Sequence, residues 1–167
     1  DAAIIDVGGG DSYLVDALVQ KGYKDITVLD ISGKALQNAQ KRLGKNAGKV
    51  KWIESDVLHF HPSQKYDCWH DRAVFHFVTD DNEIKDYKKQ IADSVKEEGK
   101  LIVGTFSEKG PEKCSGLPVH RYSQQQLTDT LATNFSKIKC IEEIHQTPFN
   151  TMQSFTFCSF QKKKKAV

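Results

Sequence analysis

The sequence predicts an α/β fold: a mostly parallel sheet of seven strands, with helices on both faces and an antiparallel last strand. Three observations support this prediction. Apolar runs of strand length alternate with segments of helical periodicity, which is typical of a parallel sheet. The first run, Ile4–Val7, passes directly into three glycines, a tight turn between a strand and a helix. Two late runs, over 137–144 and 154–161, alternate apolar and polar residues and predict an antiparallel hairpin with a turn over 147–150.

The length predicts one domain, because 167 residues are enough to bury one hydrophobic core. Lys and Arg number 24 against 22 Asp and Glu, so the charge gives no reason to expect a nucleic-acid partner. No apolar run approaches membrane-spanning length. Four scattered cysteines without a Cys-x-x-Cys pair favour reduced thiols and a cytoplasmic location.

We predict the domain over residues 1–161 and a solvated basic tail over 162–167. The chain begins directly on the first strand and without methionine. We therefore expect an N-terminal segment to be missing.

The first strand, the glycine turn and the next helix predict a binding unit for a nucleotide-like cofactor. Glycine lets the backbone approach a ligand where a side chain would collide. Ser12 is placed to cap a helix over 13–19. The predicted inner face of this helix consists of Leu14, Ala17 and Leu18.

The spacing around the turn distinguishes two kinds of cofactor. Dinucleotide-binding turns have a third glycine at the position of Tyr13, and a tyrosine there would crowd the helix against the strand. Asp6, two residues before the turn, would repel a phosphate but suits a ligand that carries an ammonium group. A nicotinamide-dependent oxidoreductase is therefore disfavoured.

The pattern Asp6-x-Gly8-x-Gly10-x-Ser12 resembles motif I of the class I S-adenosylmethionine-dependent methyltransferases, with Ser12 in place of the usual third glycine. This resemblance implies a Rossmann-like fold. It also implies that the turn, including Gly9, binds S-adenosyl-L-methionine, and that the product is S-adenosyl-L-homocysteine.

The second predicted strand ends in Asp30, 20 residues after Gly10. At this distance a strand-end carboxylate reaches a ribose diol, although a cap for the following turn is the alternative. Ile31 would then lie near the adenine. Ser32 is predicted to cap a helix over 33–43.

The third predicted strand, over 50–54, is followed by Ser55, Asp56 and Val57. These residues resemble the acidic loop that holds adenine in class I methyltransferases. The resemblance implies that Asp56 accepts a hydrogen bond from the adenine amino group; a plain Asx turn is the alternative. The sequence His59-Phe60-His61 lacks a nearby carboxylate or cysteine at coordinating spacing, so we predict no metal site.

The fourth predicted strand, over 66–72, carries polar residues at its end. Ligands bind at the carboxyl ends of parallel strands, so we expect His70, Asp71, Arg72 and His76 to line the site. His70 and Asp71 are predicted to contact the cofactor. Asp71 or His76 is the candidate general base, and Arg72 would favour an ionised acceptor. His70 and His76 as structural hydrogen-bond partners are the alternative.

The segment Asp71-Arg72-Ala73-Val74-Phe75 is similar to a stretch of thiopurine methyltransferases and related thiol methyltransferases, with Ala73 in place of a glycine. In that group this region faces both the methyl donor and the acceptor. The Asn-Pro-Pro-Tyr or Asp-Pro-Pro-Tyr motif of methyltransferases that act on nucleobase amino groups does not follow this strand.

The remaining pattern predicts a helix over 79–95, a strand over 101–106 and a helix over 123–135 that begins with a Ser123/Gln126 capping box. The long segment 107–122, between this strand and the second helix, is rich in Gly, Pro, Lys and Ser and is predicted to shape the acceptor pocket. Its candidate contacts are Cys114, Ser115, His120, Arg121 and Tyr122.

The resemblance implies a methyltransferase that uses in-line displacement onto a nucleophile. We predict a small-molecule acceptor, a thiol or carboxylate, because Lys109, Lys113, His120 and Arg121 favour an anion. The alternatives are a methyltransferase acting on a lysine or terminal amine of a protein or peptide, and a cofactor-binding module without turnover. We predict neither a nucleic-acid nor a membrane partner.

Overall fold

The structure, a computed structural model, describes residues 1–147 and 150–164. The strands of its main sheet are β1 (Ala3–Val7), β2 (Asp25–Asp30), β3 (Val50–Glu54), β4 (Tyr66–Arg72), β5 (Val95–Phe106), β8 (Phe135–Gln146) and β9 (Met152–Lys162). Two short strands, β6 (Lys113–Cys114) and β7 (Leu117–Pro118), pair with each other after β5. The described α-helices are α1 (Leu14–Gln20), α2 (Gly33–Leu43), α3 (Asp81–Ser94) and α4 (Gln124–Leu131).

The seven strands of the main sheet lie in the order β3-β2-β1-β4-β5-β9-β8. The first five in this order pair in parallel, and β9 runs antiparallel to both of its neighbours. The predicted fold class is confirmed. The strand order reverses at β1, because β2 lies on one side of it and β4 on the other. A crevice is expected at the carboxyl ends of the strands where the order reverses.

Two apolar clusters cover the two faces of the sheet. On one face α3 and α4 bury Tyr87 and Leu127 against Trp69 of β4 and Leu101 of β5. On the other face α1 and α2 pack against β2 and β3; the buried residues of this cluster are Val15, Ile26, Val28, Leu36 and Val50. Successive strand side chains point to opposite faces, so β2 contributes to both clusters.

Helix α1 differs from its prediction in its start and in its buried face. It begins at Leu14, and its N-cap residue is Tyr13, which makes no side-chain cap hydrogen bond. The Ser12 hydroxyl accepts instead from the amide of Leu14, at 3.1 Å, because the chain is still turning there. The helix buries Val15, with Leu18 and Val19 beside it. Leu18 therefore packs as predicted, whereas Leu14 and Ala17 do not belong to this cluster.

The predicted start of β5 and the predicted end of α4 were also wrong. Strand β5 begins at Val95, before the expected turn, and contains Glu98 with a positive φ of 61°. Its register with β4 shifts at this irregularity. Helix α4 has the predicted capping box but ends at Leu131. Phe135, assigned to this helix, begins β8, where it is buried in the sheet core.

The expectation that all four cysteines are reduced is wrong for two of them. Cys140 and Cys158 form a disulfide, because the β8–β9 hairpin places them directly opposite each other with their Cα atoms 4.1 Å apart. Cys68 and Cys114 are free thiols. Burial raises the pKa of Cys68 to about 11.

Two predicted segments lie partly outside the described residues: Pro148 and Phe149 of the hairpin turn, and residues 165–167 of the basic tail. Lys162, predicted to begin a solvated tail, is instead the buried last residue of β9. Its Nζ donates to the carbonyl oxygens of Ala92 and Val95, the latter at 2.7 Å. None of the described helices combines the length and apolar composition needed to cross a membrane.

The loop after β4 is held in place by the carboxylate of Asp71. This carboxylate accepts hydrogen bonds from the backbone amides of Val74, at 2.9 Å, and Phe75, at 3.1 Å, and from the hydroxyl of Tyr87 on α3. Ala73, at the start of the loop, has a φ of 67°, and its amide donates to the carbonyl of Gly104 at 2.8 Å. A buried acceptor therefore fixes a strained turn at the carboxyl edge of the sheet.

We expect the Tyr87→Phe variant to lose about 1–3 kcal/mol of unfolding free energy, because Asp71 loses a hydrogen bond that is buried. Tyr122→Phe is a matched control. Both tyrosine rings stack on Phe75, at 5.2 and 5.3 Å, but the Tyr122 hydroxyl is buried without a partner among the described residues. Urea denaturation of both variants tests this prediction, and equal losses would contradict it.

The protonation of Asp71 gives a second prediction. Burial raises its pKa to about 6, although the hydrogen bonds from Tyr87, Val74 and Phe75 oppose the shift. The folded protein therefore holds the proton more tightly than the unfolded chain, whose Asp pKa has the ordinary value of 3.8. This contribution to stability is complete below the unfolded pKa and is lost as the pH rises through the folded pKa.

Relative to Asp71→Asn, we expect wild-type protein to lose up to about 3 kcal/mol of unfolding free energy between about pH 4 and about pH 7. Chemical denaturation of both proteins across this range measures the difference. A wild-type-to-variant difference that stays constant with pH would show that Asp71 keeps its ordinary acidity in the fold.

Candidate functional site

A cavity of about 620 Å³ lies at the edge of the sheet where β1 to β4 end. Its volume is typical of sites that bind small organic molecules. It contains residues that we predicted for the cofactor and the acceptor: Gly8, Asp30, Ile31, Ser55, Asp56, Val57 and Arg72. A second cavity, of about 550 Å³, lies between the segment before β4 and the end of α3, and none of the predicted site residues lines it.

The glycine turn is packed too tightly for side chains. Gly8 has a φ of +70°, and a Cβ atom there would lie 2.2 Å from Cγ2 of Val74. A Cβ atom on Gly10 would lie 2.6 Å from Cβ of Ala35 and 2.8 Å from Oδ2 of Asp30. The backbone of the turn therefore packs directly against the loop after β4 and the start of α2, with no room for side chains. A backbone without side chains lets a ligand approach closely.

Asp6 lies beneath this turn and is 1% exposed. Its Oδ1 atom lies 2.7 Å from Nδ1 of His70, but Oδ2 has no partner among the described residues. A Cβ atom on Gly9 would lie 2.4 Å from that Oδ2 atom. A buried carboxylate oxygen without a partner is costly, and a bound ammonium group next to the turn would satisfy it.

Asp30 occupies the end of β2 and lines the cavity. Its Oδ2 atom accepts from the amide of Gly10 at 2.9 Å, and its Oδ1 atom accepts from the amide of Ser32 at 2.8 Å. Ser32 in turn caps α2, as predicted. Asp30 therefore orders the two turns beside it, which was the alternative interpretation, and it also lines the cavity. The ribose role stays a prediction. Ile31 next to it is 70% exposed.

The segment after β3 forms the Asx turn that was the alternative interpretation of Asp56. Its Oδ1 atom accepts from the amide of Leu58 at 2.9 Å, and its Oδ2 atom lies 3.7 Å from Nδ1 of His59. The Ser55 hydroxyl donates to the carbonyl of Asp56 at 3.0 Å. Asp56 and Val57 nevertheless line the cavity on the side of β3.

The two residues predicted as general bases do not line the cavity. Asp71 is fully buried and its oxygens bind the loop after β4. His76 is also fully buried, and its Nδ1 atom accepts from the amide of Phe106 at 3.3 Å. Burial lowers the pKa of His76 to about 4, so this ring is neutral near pH 7. Neither side chain is placed to take a proton from a ligand in the cavity.

The predicted acceptor loop contributes differently than expected. Tyr122 is buried in the core against Phe75. His120 and Arg121 line a separate cavity of about 450 Å³, where Arg121 bonds to Glu112 at 3.3 Å. Cys114 lies in β6 and does not line the 620 Å³ cavity, and neither does Ser115 beside it.

The loop reaches the cavity through Leu117, a residue that the sequence analysis missed. Leu117 is 58% exposed in the short β6–β7 hairpin, whose connecting residues Ser115 and Gly116 both have positive φ. The sequence Gly116-Leu117-Pro118 is typical of a turn, but it does not predict that the Leu117 side chain faces the cavity. Other cavity residues that were not predicted lie at or after the ends of β1 to β3 and in the segment from β4 into α3; they are Val7, Leu29, Leu58, Phe77, Val78 and Glu83. Val74 belongs to the 71–75 segment that the resemblance placed beside donor and acceptor.

The described residues include no group of three or more His, Cys, Asp or Glu side chains arranged to hold a metal ion. The polar residues of the cavity supply carboxylates, backbone groups, the Ser55 hydroxyl and one guanidinium. This set fits an organic cofactor with hydroxyl and amino groups.

Comparison with known proteins identifies relatives. Residues 4–99 match the sequence model of the family described as methyltransferase domain. No curated protein matches the chain significantly. The structure is similar to N-methyltransferase NodS from Bradyrhizobium japonicum WM9, with 15% identity, a TM-score of 0.79 and coverage of 98% of this chain and 86% of that chain.

Two further structures are similar over nearly the whole chain. One is a SAM-dependent methyltransferase from Methanosarcina mazei, with 17% identity, a TM-score of 0.78 and coverage of 99% of this chain and 94% of that chain. The other is 1,6-didemethyltoxoflavin-N1-methyltransferase from Burkholderia thailandensis, with 1,6-didemethyltoxoflavin and S-adenosylhomocysteine bound. Its identity is 16%, its TM-score is 0.75, and the match covers 98% of this chain and 72% of that chain.

At these identities the structural similarities establish the fold. The family match covers more than half of the 167 residues and includes the glycine turn and the ends of β1 to β4. The chain therefore belongs to the methyltransferase domain family and is a class I S-adenosylmethionine-dependent methyltransferase.

Proposed function

We propose that the protein transfers a methyl group from S-adenosyl-L-methionine to a small-molecule nucleophile, a thiol or a carboxylate. One observation carries this proposal: a cavity of about 620 Å³ has an apolar wall and also contains six of the predicted cofactor residues, Gly8, Asp30, Ile31, Ser55, Asp56 and Val57. A site of this size suits a cofactor beside a small acceptor.

The residues present fit the cofactor. Asp6 would accept from the ammonium group of the methionine part, because its buried Oδ2 atom has no partner among the described residues. Asp30, at the end of β2, would bind the ribose hydroxyls. Asp56 and Val57 would hold the adenine, since both line the cavity where β3 ends.

S-Adenosylmethionine supplies an activated methyl group on a positively charged sulfur. The chain's own contribution is to hold donor and acceptor in line, which lowers the entropic cost of the reaction. Val74 contacts the glycine turn and also lines the cavity, so the loop after β4 forms a wall shared by the two parts of the site. The apolar side chains of Phe77 and Leu117 would exclude water from the acceptor.

The similar structures support a small acceptor. The Burkholderia thailandensis enzyme holds 1,6-didemethyltoxoflavin, a small molecule, together with S-adenosylhomocysteine. NodS is named as an N-methyltransferase, so nitrogen nucleophiles belong in the test of this proposal.

The proposed reaction is tested by incubating the protein with methyl-labelled S-adenosylmethionine and three sets of acceptors: small thiols and carboxylates, small amines, and lysine-containing peptides. Label in the thiol or carboxylate products is the expected result. Transfer only to peptides would support protein methylation instead, and binding without any transfer would support a cofactor-binding module.

The Asp30→Ala variant tests the ribose assignment. We expect the dissociation constant for S-adenosylhomocysteine to rise by about tenfold or more, because two hydroxyls lose a charged acceptor and Gly10 loses its partner. Asp25→Ala is the matched control, since Asp25 begins the same strand at its opposite end and bonds to Lys51. Calorimetric titration measures both variants. Unchanged affinity for Asp30→Ala, or an equal loss in both, would place the ribose elsewhere.

A further inference from the structure

Arg72 differs from the other arginines in its surroundings. The chain has three arginines. Arg42 bonds to Asp16 at 2.9 Å, and Arg121 bonds to Glu112 at 3.3 Å. Arg72 is exposed, lines the 620 Å³ cavity and has no acidic partner among the described residues. A guanidinium group without a carboxylate in a ligand cavity is a ready binding group for an anion.

The ring of Phe155 lies beside the Arg72 side chain. Its guanidinium carbon lies 5.8 Å from the centre of the Phe155 ring, within range of a cation–π contact. Phe155 is itself buried, and its ring packs against Phe106 at 4.9 Å and Phe157 at 5.7 Å. This contact restrains the guanidinium without neutralising its charge.

The wall around Arg72 is apolar. The loop after β4 and the β6–β7 hairpin present Val74, Phe77 and Leu117 to the same cavity. A single cation in such a wall favours a ligand that combines an anionic group with an apolar body, since each part then has a matching surface.

Among the described residues that line the cavity, carboxylates are the only side chains of a type that commonly removes a proton from a neutral acceptor. No His, Lys, Tyr or Cys is among its described lining residues. The carboxylates of Asp30 and Asp56 already accept backbone amides. Glu83, in the first turn of α3, is the remaining carboxylate of this lining.

We infer that Arg72 binds the anionic group of the acceptor, and that the acceptor enters already ionised, as a carboxylate or thiolate on an apolar body. This inference rests on the proposed function. The anionic oxygen or sulfur forms a bond to the methyl carbon as the methyl–sulfonium bond breaks and its electron pair stays on the donor sulfur. The two charges cancel and no proton moves, so a general base is not required.

Binding to the complex with S-adenosylhomocysteine tests the inference. The probes are phenylacetate and thiophenolate, with phenylacetamide and thioanisole as their neutral analogues. We expect the wild-type complex to bind at least one anion about tenfold or more tightly than its analogue, and Arg72→Met to abolish this preference. Arg72→Lys should restore part of it, and Arg121→Met, the matched control, should leave it unchanged.

The affinity for S-adenosylhomocysteine distinguishes a failure of the proposed function from a failure of the Arg72 inference. If wild-type protein does not bind it, the proposed function fails. If wild-type and Arg72→Met bind it equally, the variant is folded, and the anion preference decides. A wild-type complex without this preference, or an Arg72→Met variant that retains it, overturns the inference.

A kinetic experiment tests the absence of a base. For a series of substituted thiophenols, the midpoint of the pH dependence of kcat/KM should follow the pKa of each thiol. A midpoint that stays constant across the series would reveal a titrating base on the protein and would overturn this part of the inference.

Discussion

The site depends on the contact between the turn after β1 and the end of β2. Parallel pairing brings these ends to one edge, and two backbone amides of the turn then bond to β2: Gly8 to the carbonyl of Leu29 at 2.7 Å, and Gly10 to Asp30 at 2.9 Å. This contact requires glycine, because a Cβ atom at either position would collide with a neighbour. The same contact holds Asp30 beside the cavity, so one constraint orders both the fold and residues that we propose for the cofactor.

The part of the site next to β4 is ordered by the loop that follows this strand. Buried Asp71 holds the loop after β4, and this loop presses Val74 against the glycine turn. Arg72, next to Asp71 in sequence, lines the cavity instead. Adjacent strand residues point to opposite faces, so one residue supports the wall and its neighbour is available to a ligand.

The sequence was sufficient to predict the order of elements, the strand polarity and the residues at the strand ends. These follow from local periodicity, from glycine turns and from the rule that parallel strands share a carboxyl edge. The sequence was insufficient wherever side-chain direction decided the outcome. Asp71 lies at the end of β4 and His76 in the segment that follows, yet both side chains are buried. Leu117 is an apolar loop residue that only the hairpin geometry brings to the cavity, and the Cys140–Cys158 pairing depends on the register of β8 and β9.

The central claim is that the edge of the sheet binds S-adenosylmethionine and not a dinucleotide. Calorimetric titration of the protein with S-adenosylhomocysteine, with NADH as the control ligand, tests this claim most directly. We expect micromolar binding of S-adenosylhomocysteine and no binding of NADH, since Asp6 would repel a pyrophosphate. Binding of NADH with comparable affinity, or no binding of S-adenosylhomocysteine, would contradict it.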